Sequence, residues 1–351
     1  MSSSFLLYGA NGYTGELIAR MSVERGLRPI LAGRDSSKIE PLATELGLDH
    51  LSFALDDSAS IAAALKSVPV VLHCAGPFSR TYRPMADGCL RTGTHYLDIT
   101  GEIAVFESLA ARREEAARAG VMLLPGVGFD VVPSDCLAAH LKRRLPSATS
   151  LTLAIRGLGR ISHGTATTMV ENINRGGLVR RDGRLTPVPA AWKTREVDFG
   201  SGPVKATTIP WGDIATAFYS TGIPNIEVYA ALPSSTRMMM KASRPLGPLL
   251  ATAPVQSFLK SRIKAQPPGP SGQERARGKS FVWGEVADDA GLRKRSRLRG
   301  PEGYTLTAMT ALSVVERVLA GNAPAGFQTP SLAYGADFIL EIEGVERVDL
   351  D

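Results

Sequence analysis

The chain has 351 residues, a net charge of +6 at neutral pH, 44% hydrophobic and 21% charged residues. This balance excludes a disordered or fibrous chain and leaves room for two domains with sizeable cores. Nothing in it resembles an RNA-binding signature or a zinc finger, and no apolar run reaches the roughly 18 residues of a membrane span, so neither a nucleic-acid partner nor a transmembrane segment is expected.

The three cysteines, Cys74, Cys89 and Cys136, form no CxxC and no metal-ligand spacing. Sparse, unpaired thiols and a start, Met1-Ser2-Ser3-Ser4, without signal-peptide features lead to the expectation of a reduced, cytoplasmic chain with no metal site.

The first element is a short strand, Phe5-Leu6-Leu7-Tyr8, running into Gly9-Ala10-Asn11-Gly12-Tyr13-Thr14-Gly15 and then into the helical apolar spacing of Leu17, Ile18 and Met21. Strand, glycine turn and helix together make a dinucleotide cradle: Gly9 permits the turn, Gly12 lets a pyrophosphate approach the backbone, and Gly15 lets the helix lie against the strand. The spacing is G-x-x-G-x-x-G, with Asn11 where the better-known fingerprint has a glycine. A bare helix start favours an anion. The second strand, Pro29–Ala32, ends in Gly33-Arg34, nineteen residues beyond Gly15. An acid here would accept from a ribose 2′-hydroxyl, whereas the forked donors of Arg34 suit a phosphate. The cofactor inferred is NADP(H), with Ser36 and Lys38 as helpers.

Further alternation follows: strands His50–Leu55, Val70–Ala75, His95–Ile99 and Val121–Leu124, with helices Ser37–Leu46, Ser58–Lys66, Pro84–Thr92 and Ile103–Arg118 between them. Buried β-branched runs separated by helices predict a doubly wound parallel sheet whose ligands bind at the strands' carboxyl ends. Three of those ends stand out. Asp56 and Asp57 either meet an adenine amine or cap the next helix. Ala75, Gly76, Pro77 and Phe78, after Cys74, form a turn small enough for backbone to touch the nicotinamide half. Tyr96 and Asp98 share one face of their strand, and Thr100 and Glu102 read as a capping pair for the helix that follows.

From Pro125 the pattern changes. A loop, Pro125 to Asp135, is followed by short strands at Leu151–Ile155, Arg195–Phe199, Val204–Ile209, Ile226–Leu232, Phe281–Ala287 and Leu292–Arg299, with a hairpin turn at Asp288–Gly291 and helices at Gly164–Asn174 and Gly212–Tyr219. This predicts an α+β domain with a largely antiparallel sheet. Residues 237–277, with Met238-Met239-Met240, Phe258, Lys241, Arg244 and Pro267-Pro268, fit a lid over an apolar substrate, a dimer arm or a peripheral membrane contact; a lid or dimer arm is favoured. Helices Tyr304–Ala320 and Pro330–Glu343 then return to the first domain. The domain map is 1–130, completed by 304–351, for the cofactor and 131–303 for substrate or dimerisation.

The ordered set Gly9–Gly15, Ala32-Gly33-Arg34, Cys74–Phe78 with Tyr82, Gly93–Glu102 and Pro125–Asp130 resembles the saccharopine dehydrogenase-like oxidoreductases, and within them the trans-acting enoyl reductases of lipid or polyketide chains. Pro267–Ser271 and Gly326–Pro330 resemble the same branch. The resemblance implies a Rossmann domain, NADP(H) and an oxidoreductase reaction on a small molecule, either an acyl or lipid-like enoyl chain or an amino-acid imine. The imine reading requires arginines for dicarboxylates, for which Arg156, Arg160, Arg175 and Arg180 are available. Candidates for the proton donor are Tyr82, following the Ala75–Phe78 turn, His163, before a helix of the second domain, and Tyr96 with Asp98. Tyr82 is equally readable as a packed tyrosine, and His163 as a structural or solvated histidine.

Overall fold

The computed structural model describes residues 4–157, 159–172, 176–242, 250 and 252–351; Arg175 and Arg244 lie outside the described residues. In chain order the first elements are β1 (Leu6–Tyr8), α1 (Tyr13–Glu24), β2 (Ile30–Gly33), α2 (Ser36–Leu46), β3 (His50–Ser52), α3 (Ser58–Leu65), β4 (Val70–His73), α4 (Phe78–Thr92), β5 (His95–Asp98), α5 (Ile103–Ala110), α6 (Arg113–Arg118) and β6 (Met122–Leu124). Then come α7 (Val132–Arg144), β7 (Ser150–Arg156), α8 (His163–Glu171), β8 (Gly177–Arg181), β9 (Arg184–Val188), β10 (Thr194–Asp198), β11 (Pro203–Thr208), α9 (Asp213–Thr221), β12 (Asn225–Ala231) and α10 (Ser234–Ala242). The chain continues through α11 (Ala253–Lys264), α12 (Gly272–Arg277), β13 (Lys279–Ala287), β14 (Arg293–Pro301), α13 (Gly303–Leu319), β15 (Gly326–Phe327), α14 (Pro330–Tyr334) and β16 (Glu346–Asp349).

Two compact units result: Met1–Val132 with Tyr304–Ala333, and Pro133–Gly303 with Tyr334–Asp351. The first holds a seven-stranded sheet in the order β15-β6-β5-β4-β1-β2-β3, every pairing parallel. The order reverses between β1 and β4, which is where an open α/β sheet leaves a crevice for its ligand. Leu6, Leu7, Leu31, Val71 and Leu72 are wholly buried in it; each such side chain contributes about 1.5–3 kcal/mol of transfer free energy. The expected helix over residues 103–118 is two helices, α5 and α6. The two-residue strand β15, too short to read from the sequence, supplies the sheet's edge.

The second unit carries a nine-stranded sheet whose main path runs β10-β11-β12-β7-β13-β14-β16, with the β8–β9 hairpin attached to β12. Its pairings are antiparallel except for β12 with β7. One face gathers Trp283, Tyr229, Phe199, Val197, Ala154 and Ala206 into a core. The opposite face carries α7, so close to Gly284 that a Cβ there would lie 2.6 Å from Leu141. The basic side chains of this unit are partly neutralised from within: Arg195, Arg293 and Arg295 converge on buried Glu285 at 3.2, 3.5 and 2.6 Å.

Two expectations are corrected and one element is added. The β8–β9 hairpin lies where the sequence reading assigns no element; Asp182-Gly183 turns it with φ of 48° and 76°, the left-handed pair that a two-residue hairpin needs. The helix expected over 330–343 ends at Tyr334, because Gly335 takes φ of 85°. Residues 334–351 belong to the second unit rather than the first, through the antiparallel pairing of β16 with β14.

Candidate functional site

The first unit's strand ends define the site. β1 delivers the chain to Gly9 at φ of 88°, and a Cβ on Gly9 would lie 2.7 Å from the Ala75 nitrogen, so the turns after β1 and β4 run in contact. A Cβ on Gly15 would lie 2.3 Å from the Gly9 carbonyl oxygen, which holds the start of α1 against the turn. Gly12 is the N-cap of α1 and contributes no side-chain hydrogen bond to it. Asn11 and Gly12 are exposed, with the Asn11 Oδ1 reaching over Gly33 at the end of β2; Tyr13 packs its ring edge-on to Tyr304, at 5.0 Å between centroids, and Thr14 is half-buried. A side-chain-free helix start behind a turn with no room for a Cβ fits a dinucleotide pyrophosphate.

At the end of β2, Arg34 is exposed, and among the described residues its guanidinium makes no hydrogen bond or ion pair. It lies beside Tyr8, whose hydroxyl donates to the Phe53 carbonyl at 3.1 Å. Burial pushes the Tyr8 pKa up to about 12; Arg34 pulls it down and Asp56 adds to the rise, so both charges bear on one point. Ser36 opens α2. Lys38 pairs with Asp35 at 3.2 Å, and Asp35 caps α2 by accepting from the Ser37 nitrogen. Asp57, not Asp56, caps α3, accepting from the nitrogens of Ala59 and Ser60 at 3.0 and 3.1 Å.

After β4 the chain turns through a cis Gly76–Pro77 bond into α4. The Thr81 hydroxyl donates to the Ala75 carbonyl at 2.6 Å and meets His73 Nε2 at 3.0 Å. With the hydroxyl proton given to Ala75, the imidazole must donate. Burial drives the His73 pKa down to about 3, consistent with a neutral ring. The start of α4 is filled from within: the nitrogens of Phe78 and Ser79 donate to the Glu102 carboxylate at 2.7 and 3.1 Å. This corrects the expected capping pair, since Glu102 serves the preceding helix while Thr100 Oγ1 accepts from the Glu102 nitrogen at 3.0 Å.

Tyr96 and Asp98 do share a face, but both are fully buried. The Tyr96 hydroxyl donates to Asp98 Oδ2 at 2.7 Å, and Asp98 Oδ1 accepts from the nitrogens of Thr100 and Gly126 at 3.0 and 2.9 Å. Burial raises the Asp98 pKa to about 6 against these hydrogen bonds. The pair ties the loop after β6 to the end of β5, and its burial corrects the expectation that either residue is presented to a substrate. Tyr82 is half-buried with its hydroxyl 2.6 Å from Ser108 Oγ, the packed alternative. In the second unit, His163 Nε2 lies 2.8 Å from the Gln266 carbonyl and its nitrogen donates to Pro268 at 3.1 Å, so it ties α8 to that segment. Burial and the nearby Asp98 push the Cys74 thiol pKa up, away from nucleophilic use.

Sequence reasoning missed two acids. Glu102 was read as a cap for the wrong helix. Asp130 closes the Pro125–Asp130 loop and is half-buried, its Oδ2 so near Gly101 that a Cβ there would stand 2.8 Å away. Among the described residues it has no hydrogen-bond partner, and burial raises its pKa to about 6. Its signal was positional: an acid closing a glycine loop at a strand's carboxyl end.

Residues 5–124 match the model of the saccharopine dehydrogenase NADP-binding domain. The first unit therefore carries a Rossmann-type NADP-binding domain similar to that of saccharopine dehydrogenase. More particularly, it is similar to the trans-acting enoyl reductases of Mycobacterium leprae, 34% identical over 148 residues, and of Mycobacterium tuberculosis H37Rv, 32% over 147. Each match takes in 40% of this chain and 35% of the relative, so the aligned stretch spans about a third of those proteins. The saccharopine dehydrogenase (L-Glu forming) of Saccharomyces cerevisiae superposes with a TM-score of 0.67 at 11% identity, covering 99% of this chain and all of that one, which shows the shared fold.

Proposed function

We propose that the chain is an NADPH-dependent reductase of an enoyl or related apolar unsaturated or carbonyl substrate. The observation that carries this reading is the 32–34% identity of its first domain to trans-acting enoyl reductases. When bound, NADPH supplies the hydride. The chain's own residues do the holding: the Gly9–Gly15 turn and α1 start take the pyrophosphate, Arg34 the ribose phosphate, and the Ala75–Phe78 turn the nicotinamide half.

The disposition of the arginines disfavours an amino-acid imine with two carboxylates. Arg156 donates to Ser201 Oγ at 2.8 Å, Arg160 pairs with Glu274 at 3.6 Å, and buried Arg180 donates to the carbonyls of Ile214 and Gly183 at 2.8 Å each. Exposed Met238 and Met239 on α10 and Phe258 on α11 support an apolar contact for this segment, with substrate or with a second copy. α11 is held on α8, however, through Gln256 donating to the Val170 carbonyl and Lys260 pairing with Glu171 at 2.6 Å.

The test is NADPH oxidation followed at the nicotinamide absorbance against three panels: enoyl thioesters, apolar ketones, and amino acids mixed with 2-keto acids. Turnover confined to the first two supports the reading. Turnover confined to the amine–keto acid pairs makes the chain an opine-type dehydrogenase, and tight NADPH binding without turnover on any panel makes it a non-catalytic nucleotide-binding protein.

A further inference from the structure

We infer that Asp130 is the proton donor of the proposed reduction, giving its carboxyl proton to the substrate atom that gains the electron pair. The inference rests on the reductase reading and gives a role to a residue that closes the Pro125–Asp130 segment but was not among the proton-donor candidates. Within the first unit the other proton-bearing candidates are already engaged or sealed. A donor must carry an exchangeable proton, reach the strand ends and be free of other duties. Tyr96, Asp98 and His73 are sealed at zero exposure, the Tyr82 hydroxyl is taken by Ser108, and Glu102 is occupied by two backbone donors.

Asp130 meets all three requirements. It lies at the end of the loop after β6, and the absence of a side chain at Gly101 makes room for its carboxyl. Gly101 is joined directly to Glu102, whose carboxylate binds the first nitrogens of α4, where the Ala75–Phe78 turn ends. The acid is thus two short links from the turn assigned to the nicotinamide. The loop is itself rigid: the Val127 nitrogen donates to the Asp98 carbonyl at 2.8 Å, the Phe129 nitrogen to Thr307 Oγ1 at 3.0 Å, and Thr310 Oγ1 to the Val127 carbonyl at 2.8 Å. The carboxyl itself accepts nothing from the described residues. Glu102 and Asp98 are the ionisable groups on the adjoining segments, yet burial alone accounts for the raised pKa of Asp130. A proton is therefore held there closer to neutrality than on an ordinary aspartate.

The step balances. With hydride added to one end of the substrate's double bond, the Asp130 O–H bond breaks, its proton forms the new C–H or O–H bond at the other end, and the carboxylate left behind is reprotonated from water. Two electrons and two hydrogens are added in all.

The test uses the full chain carrying Asp130→Asn, which keeps the shape of the side chain, and Asp130→Glu, which keeps the acid. In the substrate-free protein, infrared difference spectra between pH 5 and pH 7.5 should show a carboxyl C=O band titrating near pH 6 that Asp130→Asn removes. Turnover of the wild type's preferred substrate should fall about 100-fold or more in Asp130→Asn, recover in part in Asp130→Glu, and decline with rising pH in the wild type and Asp130→Glu but not in Asp130→Asn. NADPH affinity by fluorescence should stay within about twofold, as for a residue that moves a proton rather than binding the dinucleotide. An unchanged infrared band, or turnover of Asp130→Asn within about threefold of the wild type, overturns the inference while leaving the reductase reading intact. A wild type inactive on every panel overturns both.

Discussion

Replacing Arg34 with alanine should separate the two nicotinamide dinucleotides. The guanidinium is exposed and makes no ion pair among the described residues, the adjacent Asp35 being held by Ser37 and Lys38. Its removal should therefore change folding stability by no more than about 0.5 kcal/mol. What is lost is a charge-assisted contact to the ribose phosphate, and hydrogen bonds to charged groups contribute about 1.5–3 kcal/mol. At about 1.4 kcal/mol per decade, that is roughly a 10- to 100-fold rise in the Kd for NADPH. Solvent screening of so exposed a side chain places the expectation at the lower end, and the ratio should shrink as salt is raised. Nicotinamide fluorescence titrations at two salt concentrations read it directly. NADH affinity should stay within about twofold, its ribose carrying no phosphate for the arginine to meet. Equal weakening of both dinucleotides, or none for NADPH, refutes the assignment.

Asp56 bears on the Tyr8 hydroxyl together with Arg34, so Asp56→Asn should relieve repulsion and tighten NADPH by about two- to fivefold, the order of an exposed charge pair, with NADH unchanged; weakening of both would return Asp56 to the adenine. Gly15→Ala sets a methyl 2.3 Å from a backbone oxygen and should cost about 1–3 kcal/mol in urea unfolding, with weaker NADPH binding as α1 is pushed off the turn. A variant as stable as the wild type would show that α1 is not pressed on the turn. Asp337, whose pKa Arg143 and Arg347 lower to about 2, has a folded value below the unfolded one. Its stabilisation is present above pH 4 and lost as pH falls through 2. The stability gap between the wild type and Asp337→Asn should therefore close over that interval, and a gap independent of pH would mean that charge is not its source.

The first domain was legible because its signals are local. Buried apolar runs mark β1, β2 and β4, glycines mark the turn, and Arg34 stands at a position fixed by the length of the βα unit. Side-chain duties were less legible. Glu102 looked like a cap because the sequence places it before α5, and only the tertiary fold shows its carboxylate reaching α4. Tyr96 and Asp98 were placed on one face by alternation, but alternation does not say that the face is sealed. The second sheet was read as strands and mostly found as strands; β8, β9 and β16 escaped because they carry charged residues and little apolar alternation, and their pairing comes from distant neighbours. His163 was an isolated residue in sequence, and its partner, the Gln266 carbonyl, lies 103 positions away.

The seating of β15 on β6 matters for how the molecule is made. The Gly326 nitrogen donates to the Val121 carbonyl at 2.9 Å, and the Gln328 nitrogen to Leu123 at 2.9 Å. During synthesis at about 5–20 residues per second, the first six strands of the parallel sheet emerge early, while the β6 edge waits for about 200 intervening residues, most of them in the second unit, to be translated before its partner arrives. A nascent chain therefore carries an unpaired, apolar strand edge for on the order of 10–40 seconds, the state most open to pairing with the wrong chain. Its cellular yield is expected to depend on whatever shields that edge until residue 328 leaves the ribosome.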